Sequence, residues 1–154
     1  MNYTEKIMHR KGWIDLLEQN ETKYVVTVTL KREVSERYSE ETVKSLLKRI
    51  RKDYFGRNSQ RQFLDGYIVT EKKKSEGHLH YHILFKDNLM LQRPDRYFPD
   101  VVMKKCENLK LIDETRGVDI QKYYHRNVEK YLTKSIEYDE NNFEFIKPLT
   151  YDGF

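Results

Sequence analysis

Apolar and polar residues alternate with a period of two through His78-Leu79-His80-Tyr81-His82-Ile83 and on into Leu84-Phe85. That pattern predicts a β-strand with three imidazoles on one face and Leu79, Tyr81, Ile83 and Phe85 on the other. The stretch Phe63 to Lys73, rich in β-branched and aromatic residues, predicts the preceding strand, with Lys74-Ser75-Glu76-Gly77 as the turn between them. A hairpin that pairs Lys73 with His78 sets Glu71 opposite His80 and Val69 opposite His82, putting a carboxylate on the histidine face. A slip of one residue sends Glu71 to the other side.

Tyr24 to Leu30 is β-branched almost throughout and predicts an earlier strand. Ser39 offers an N-cap, and Val43, Leu46, Leu47, Ile50 and Tyr54 then follow at helical spacing to Gly56. The opposite face of that helix carries Lys44, Lys48, Arg51 and Lys52, and the following loop adds Arg57 and Arg61. After an irregular segment holding Pro94, Pro99 opens a second helix through Val101, Val102, Lys105, Cys106 and Leu109. Gly117 to Tyr124 reads as a fourth strand and His125 to Tyr138 as a last helix. The order β-α-β-β-α-β-α predicts an α+β, split βαβ fold: one antiparallel sheet, helices on one face, and an open face for a site.

At 154 residues the chain is expected to form one domain over 1–154, with the residues from 137 to 154 as a peripheral acidic tail. The charged fraction of 35% is high, but aromatics at 13%, with 12 Tyr, argue for a packed core over disorder. The net charge of +4 suits a polyanion partner without demanding one, and its distribution says more. Between Lys44 and Arg61 seven cations face one acid, Asp53. A solvated helix face is the ordinary reading of such a run, and binding of nucleic-acid phosphates the functional one. A single cysteine, Cys106, excludes an internal disulfide and argues against an oxidising compartment. No run of apolar residues is long enough for a membrane span or signal peptide, so an intracellular protein with no membrane partner is expected. No phosphate-binding Gly-x-x-x-x-Gly-Lys loop is present, so any nucleotide-driven helicase would be a separate partner.

Polar alternation on a strand is usually its wet face, but three of five histidines on one side, with a carboxylate across the hairpin, suit a divalent metal better. A structural zinc site ranks low because one cysteine gives no familiar closed ligand set. On the last helix Tyr131 and Lys134 stand one turn apart. Alone they would read as a surface pair. A phenol of pKa about 10 needs a neighbouring cation to act as a nucleophile near neutral pH, and a lysine one turn away is the simplest.

These residues together resemble the HUH endonucleases, in particular the rolling-circle replication initiator (Rep) type. The resemblance spans three motifs in family order: a strand carrying Thr27-Val28-Thr29-Leu30, the pair His80-Tyr81-His82, and Tyr131-x-x-Lys134. It implies Mn²⁺ or Mg²⁺ held by His80, His82 and Glu71, with Tyr131 as nucleophile and Lys134 as its helper. It also implies nicking and joining of single-stranded DNA at a replication origin or hairpin through a 5′-phosphotyrosine link, in the host cell of a plasmid or virus. The extra imidazole departs from the pattern. His78 with His80 is the alternative pair, and the buried continuation Ile83-Leu84-Phe85 favours His80 with His82, leaving His78 at the mouth. Lys44, Lys48, Arg51, Lys52, Arg57 and Arg61 are the candidates for DNA phosphates. A single-strand transposase or relaxase of the same superfamily is one competing reading, although such transposases resemble Tyr followed by Gln where this chain has Lys134. A non-catalytic single-strand-binding sheet is the other, and it leaves the histidine row unexplained.

Overall fold

The computed structural model describes residues 2–73, 78–86, 97–107, 109–113, 117–122, 133 and 142–154. Five strands form one sheet in the order β4-β1-β3-β2-β5, every neighbouring pair antiparallel. These are β1 (Thr22–Thr29), β2 (Gly66–Lys73), β3 (Leu79–Lys86), β4 (Val118–Lys122) and β5 (Asn142–Pro148). The connection from β1 to β2 crosses over through a helix while β3 inserts between them, which is the split βαβ arrangement expected from the sequence.

Three helices flank the sheet: α1 (Tyr3–Glu18), α2 (Glu36–Phe55) and α3 (Phe98–Glu107). Helix α2 buries Val43, Leu46, Leu47, Ile50 and Tyr54 against Val26, Val28, Ile68, Tyr81 and Ile83 of the sheet. It starts one turn before the expected point. Ser35 is the N-cap, its side chain accepting from the Tyr38 amide, and Ser39 is fully buried inside the helix. A short 3-10 turn, Gly56–Gln60, follows it. Helix α3 begins with Phe98-Pro99, where a proline is tolerated because its missing N–H has no helical partner to lose. The α3 residues Val102 and Cys106 are buried on the same core, and burial pushes the Cys106 thiol up to about 12.

Two elements were not expected. Helix α1 has no continuous apolar stripe, so its sequence carries no amphipathic signal. It is held by a capping box between Asn2 and Glu5 and by one buried residue, Leu17, which packs on Val25, Val69 and Leu84. Those three lie on the face opposite α2, so helices are not confined to one face as expected: α1 covers one end of the face expected to be open. Asn20, buried after α1, donates to the Leu84 carbonyl and fixes this seat. Strand β5 occupies part of the stretch read as an acidic tail, pairing with β2 from Tyr67↔Pro148 to Lys73↔Asn142. The helix expected over 125–138 lies outside the described residues.

Candidate metal and DNA site

The histidine row sits where β1, β3 and β2 run side by side. Strand β3 pairs with β2 so that Glu71 faces His80 and Val69 faces His82, the register that puts the carboxylate on the histidine face. On the other side β1 pairs Thr27 with His82 and Thr29 with His80. Alternation places the side chains of Thr27, Thr29, Glu71, His80 and His82 on the face away from α2, next to the end that Leu17 covers.

Cross-strand hydrogen bonds hold the rings. His82 Nδ1 lies 3.0 Å from Thr27 Oγ1, and His80 Nδ1 lies 3.1 Å from Thr29 Oγ1. His78 Nδ1 donates to the Leu30 carbonyl at 2.9 Å and lies 3.8 Å from an Asp113 carboxylate oxygen. All three Nδ1 atoms therefore turn toward β1. The remaining ring nitrogens of His80 and His82 are buried, as is Glu71, which is 3% exposed. The His80 and His82 rings are nearly parallel, 13° apart, with centroids separated by 6.5 Å.

Two imidazoles and one carboxylate are donor types that suit a divalent transition ion such as Mn²⁺, with water completing the shell. Among the described residues, no three His, Cys, Asp or Glu side chains are gathered into one ready coordination sphere. Glu71 is adjacent in register without being clustered with the rings. His78 stands at the strand end, engaged with the β1 backbone, consistent with a place at the mouth.

Tyr131 and Lys134 lie outside the described residues. Between them Thr133 is described: it is fully buried and accepts from Arg10 Nε of α1 at 3.3 Å. That bond ties the stretch to the helix that covers the histidine face.

The basic residues divide. Lys48, Lys52, Arg57 and Arg61 are exposed, as expected for phosphate contacts. Arg51 is not: it is 5% exposed, donates to the Ser59 carbonyl at 2.7 Å, and stacks 3.8 Å over the Tyr151 ring. Its expected outward presentation is corrected to a packing role, because the 3-10 turn and the segment after β5 close over it. Lys44 is half-buried, paired with Glu40 at 3.1 Å and lying 5.2 Å from the Phe154 ring. All six belong to α2 or the turn after it, so they lie across the sheet from the histidines. A helix with its side chains is about 10–12 Å across, so the outer face of α2 is more than that distance from the sheet.

Sequence reasoning did not single out Thr27 and Thr29 as partners of the rings. Their signal was present: two threonines spaced by two, matching two histidines spaced by two on the paired strand. No helix among the described residues is long and apolar enough to cross a membrane. No curated protein and no solved structure shows a significant match to the chain. The model of the Replication-associated protein ORF2 family matches residues 23–140, the span from the start of β1 past the Tyr131–Lys134 stretch, and the chain belongs to that family.

Proposed function

We propose that the chain is a replication initiator of the HUH type, a Tyr-nucleophile endonuclease that nicks and rejoins single-stranded DNA at a replication origin. The observation that carries this reading is the Glu71, His80 and His82 set on one face of the sheet, its rings backed by threonines, within a replication-associated family. Glu71, His80 and His82 are the residues to hold Mn²⁺ or Mg²⁺. When bound, such an ion supplies charge neutralisation at the scissile phosphate. The Tyr131 oxygen attacks phosphorus, the bond to the 3′ oxygen breaks, and a tyrosyl 5′-phosphate ester and a free 3′-OH result. The 3′-OH primes synthesis or attacks the ester in reverse, restoring the strand without a nucleotide cofactor. Lys134 stabilises the phenolate.

The test is a denaturing gel of the protein incubated with Mn²⁺ and a single-stranded oligonucleotide carrying its origin sequence. A shifted covalent band is expected with the native chain and none with Tyr131→Phe. An unchanged band in Tyr131→Phe would name a different nucleophile, and binding without any band would leave a single-strand-binding module.

The exposed cations of α2 lie on the far side of the sheet, so they engage DNA flanking the nick instead of the nucleotides at the scissile bond. Each phosphate contact to a single strand contributes about 0.7 to the slope of log Kobs against log salt. Replacing Lys48 and Lys52 with Gln is expected to lower that slope by about 1.4 for an oligonucleotide with long flanks, measured by fluorescence anisotropy. A slope that does not move would return these residues to an ordinary solvated helix face.

A further inference from the structure

A threonine hydroxyl can donate or accept, so a bond between threonine and an imidazole Nδ1 does not by itself say which partner holds the proton. The neighbouring histidine resolves the ambiguity. His78 Nδ1 is bonded to the Leu30 carbonyl, which has no hydrogen to give, so His78 must carry its proton on Nδ1. His80 and His82 follow on the same face of the same strand, their Nδ1 atoms turned the same way toward β1. The second contact of each ring comes from the strand register itself, Thr29↔His80 and Thr27↔His82, so the pair is built into the sheet.

We infer that Thr27 and Thr29 are positioning residues that accept from Nδ1–H of His82 and His80, holding both rings in the Nδ1–H tautomer with the Nε2 lone pairs presented on the site face. The use of those lone pairs as cation ligands rests on the proposed function; the tautomers do not. A free histidine side chain favours the opposite, Nε2–H form, in which Nε2 cannot bind a metal. The threonines thus prepare the rings before any cation arrives, the service usually supplied by a carbonyl or carboxylate behind a ligating histidine.

Long-range ¹H–¹⁵N correlation spectra of the metal-free protein at about pH 8, where ordinary imidazoles are neutral, read the tautomers directly. The resonances are assigned by their loss in His80→Gln and His82→Gln. Nδ1–H is expected at both positions in the native chain. In Thr27→Val and Thr29→Val, which keep side-chain shape and strand propensity, the facing ring is expected to gain Nε2–H population. Mn²⁺ affinity by calorimetry is expected to fall about 10–100-fold. Thr→Ser at each position should restore both readouts. Nε2–H in the native chain, unchanged tautomers in the valine variants, or serine variants as weak as valine would each overturn the inference. A chain that forms no covalent DNA adduct would refute the nuclease reading and leave the spectra as they are.

Discussion

Alanine at His82 will reduce single-strand nicking by about 10³-fold or more while the domain stays folded and still binds the oligonucleotide. The ring is one of two imidazoles meant to hold the cation, and losing such charge stabilisation at a reacting phosphate is worth several kcal/mol, each 1.36 of which is tenfold in rate. His80→Ala will behave alike, because the two rings occupy equivalent places, each against a threonine of β1. His78→Ala will change the rate by less than about tenfold, since its Nδ1 serves the Leu30 backbone at the strand end. Single-turnover cleavage, with anisotropy for binding and a thermal melt for folding, separates these outcomes. Cleavage that survives in His82→Ala but fails in His78→Ala would move the site one pair along the strand. Binding lost together with cleavage, in a folded variant, would favour a binding sheet over a nuclease.

What could be read from the residues follows from which signals are local. The hairpin register came from periodicity on both sides of a short turn, and Glu71 lands opposite His80 because the side-chain period of two leaves no intermediate placement. The stripe of α2 was legible for the same reason, and its start was misplaced by one turn because Ser35 and Ser39 are both acceptable caps. Only the helical bond from the Ser39 amide to the Ser35 carbonyl distinguishes them. Helix α1 was illegible because its seat depends on one residue, Leu17, meeting Val25, Val69 and Leu84 from three strands. Strand β5 did leave a trace, the alternation Asn142-Phe143-Glu144-Phe145-Ile146, which the acidic residues around it obscured. The basic run was legible as charge but not as geometry. Arg51 and Lys48 differ by three positions, yet one is closed over by Tyr151 and the other faces solvent, a difference decided by a segment about a hundred residues away.

Gly66→Ala will be the most damaging small substitution, lowering stability by more than about 4 kcal/mol, at the upper end for a single change. Gly66 opens β2 with φ +140, a backbone conformation that costs other residues about 1–3 kcal/mol. A Cβ there would meet the Leu84 carbonyl oxygen at 1.8 Å and its carbon at 2.9 Å, and both are backbone atoms of the central strand that cannot swing aside. The position is also bound on every side: its amide donates to Asp65 Oδ1, its carbonyl accepts from Leu149, and its Cα partner is Phe85. Gly66↔Phe85 is the first pair of the ladder that ends past Glu71↔His80, so pushing β2 off β3 here disturbs the register that brings the carboxylate to the rings. Against a total stability of about 5–15 kcal/mol for an ordinary domain, the loss leaves a partly unfolded or misregistered protein. Gly12→Ala is the matching control: in the exposed interior of α1 its Cβ meets nothing within 4 Å. It should gain up to about 1 kcal/mol from helix propensity alone. Urea midpoints of the two variants are expected to move in opposite directions, and nicking should fall only in Gly66→Ala. A Gly66→Ala protein with native stability and full nicking would mean that β2 can lift away from Leu84 at no cost, and the pairing of Glu71 with His80 would then not depend on this end of the sheet.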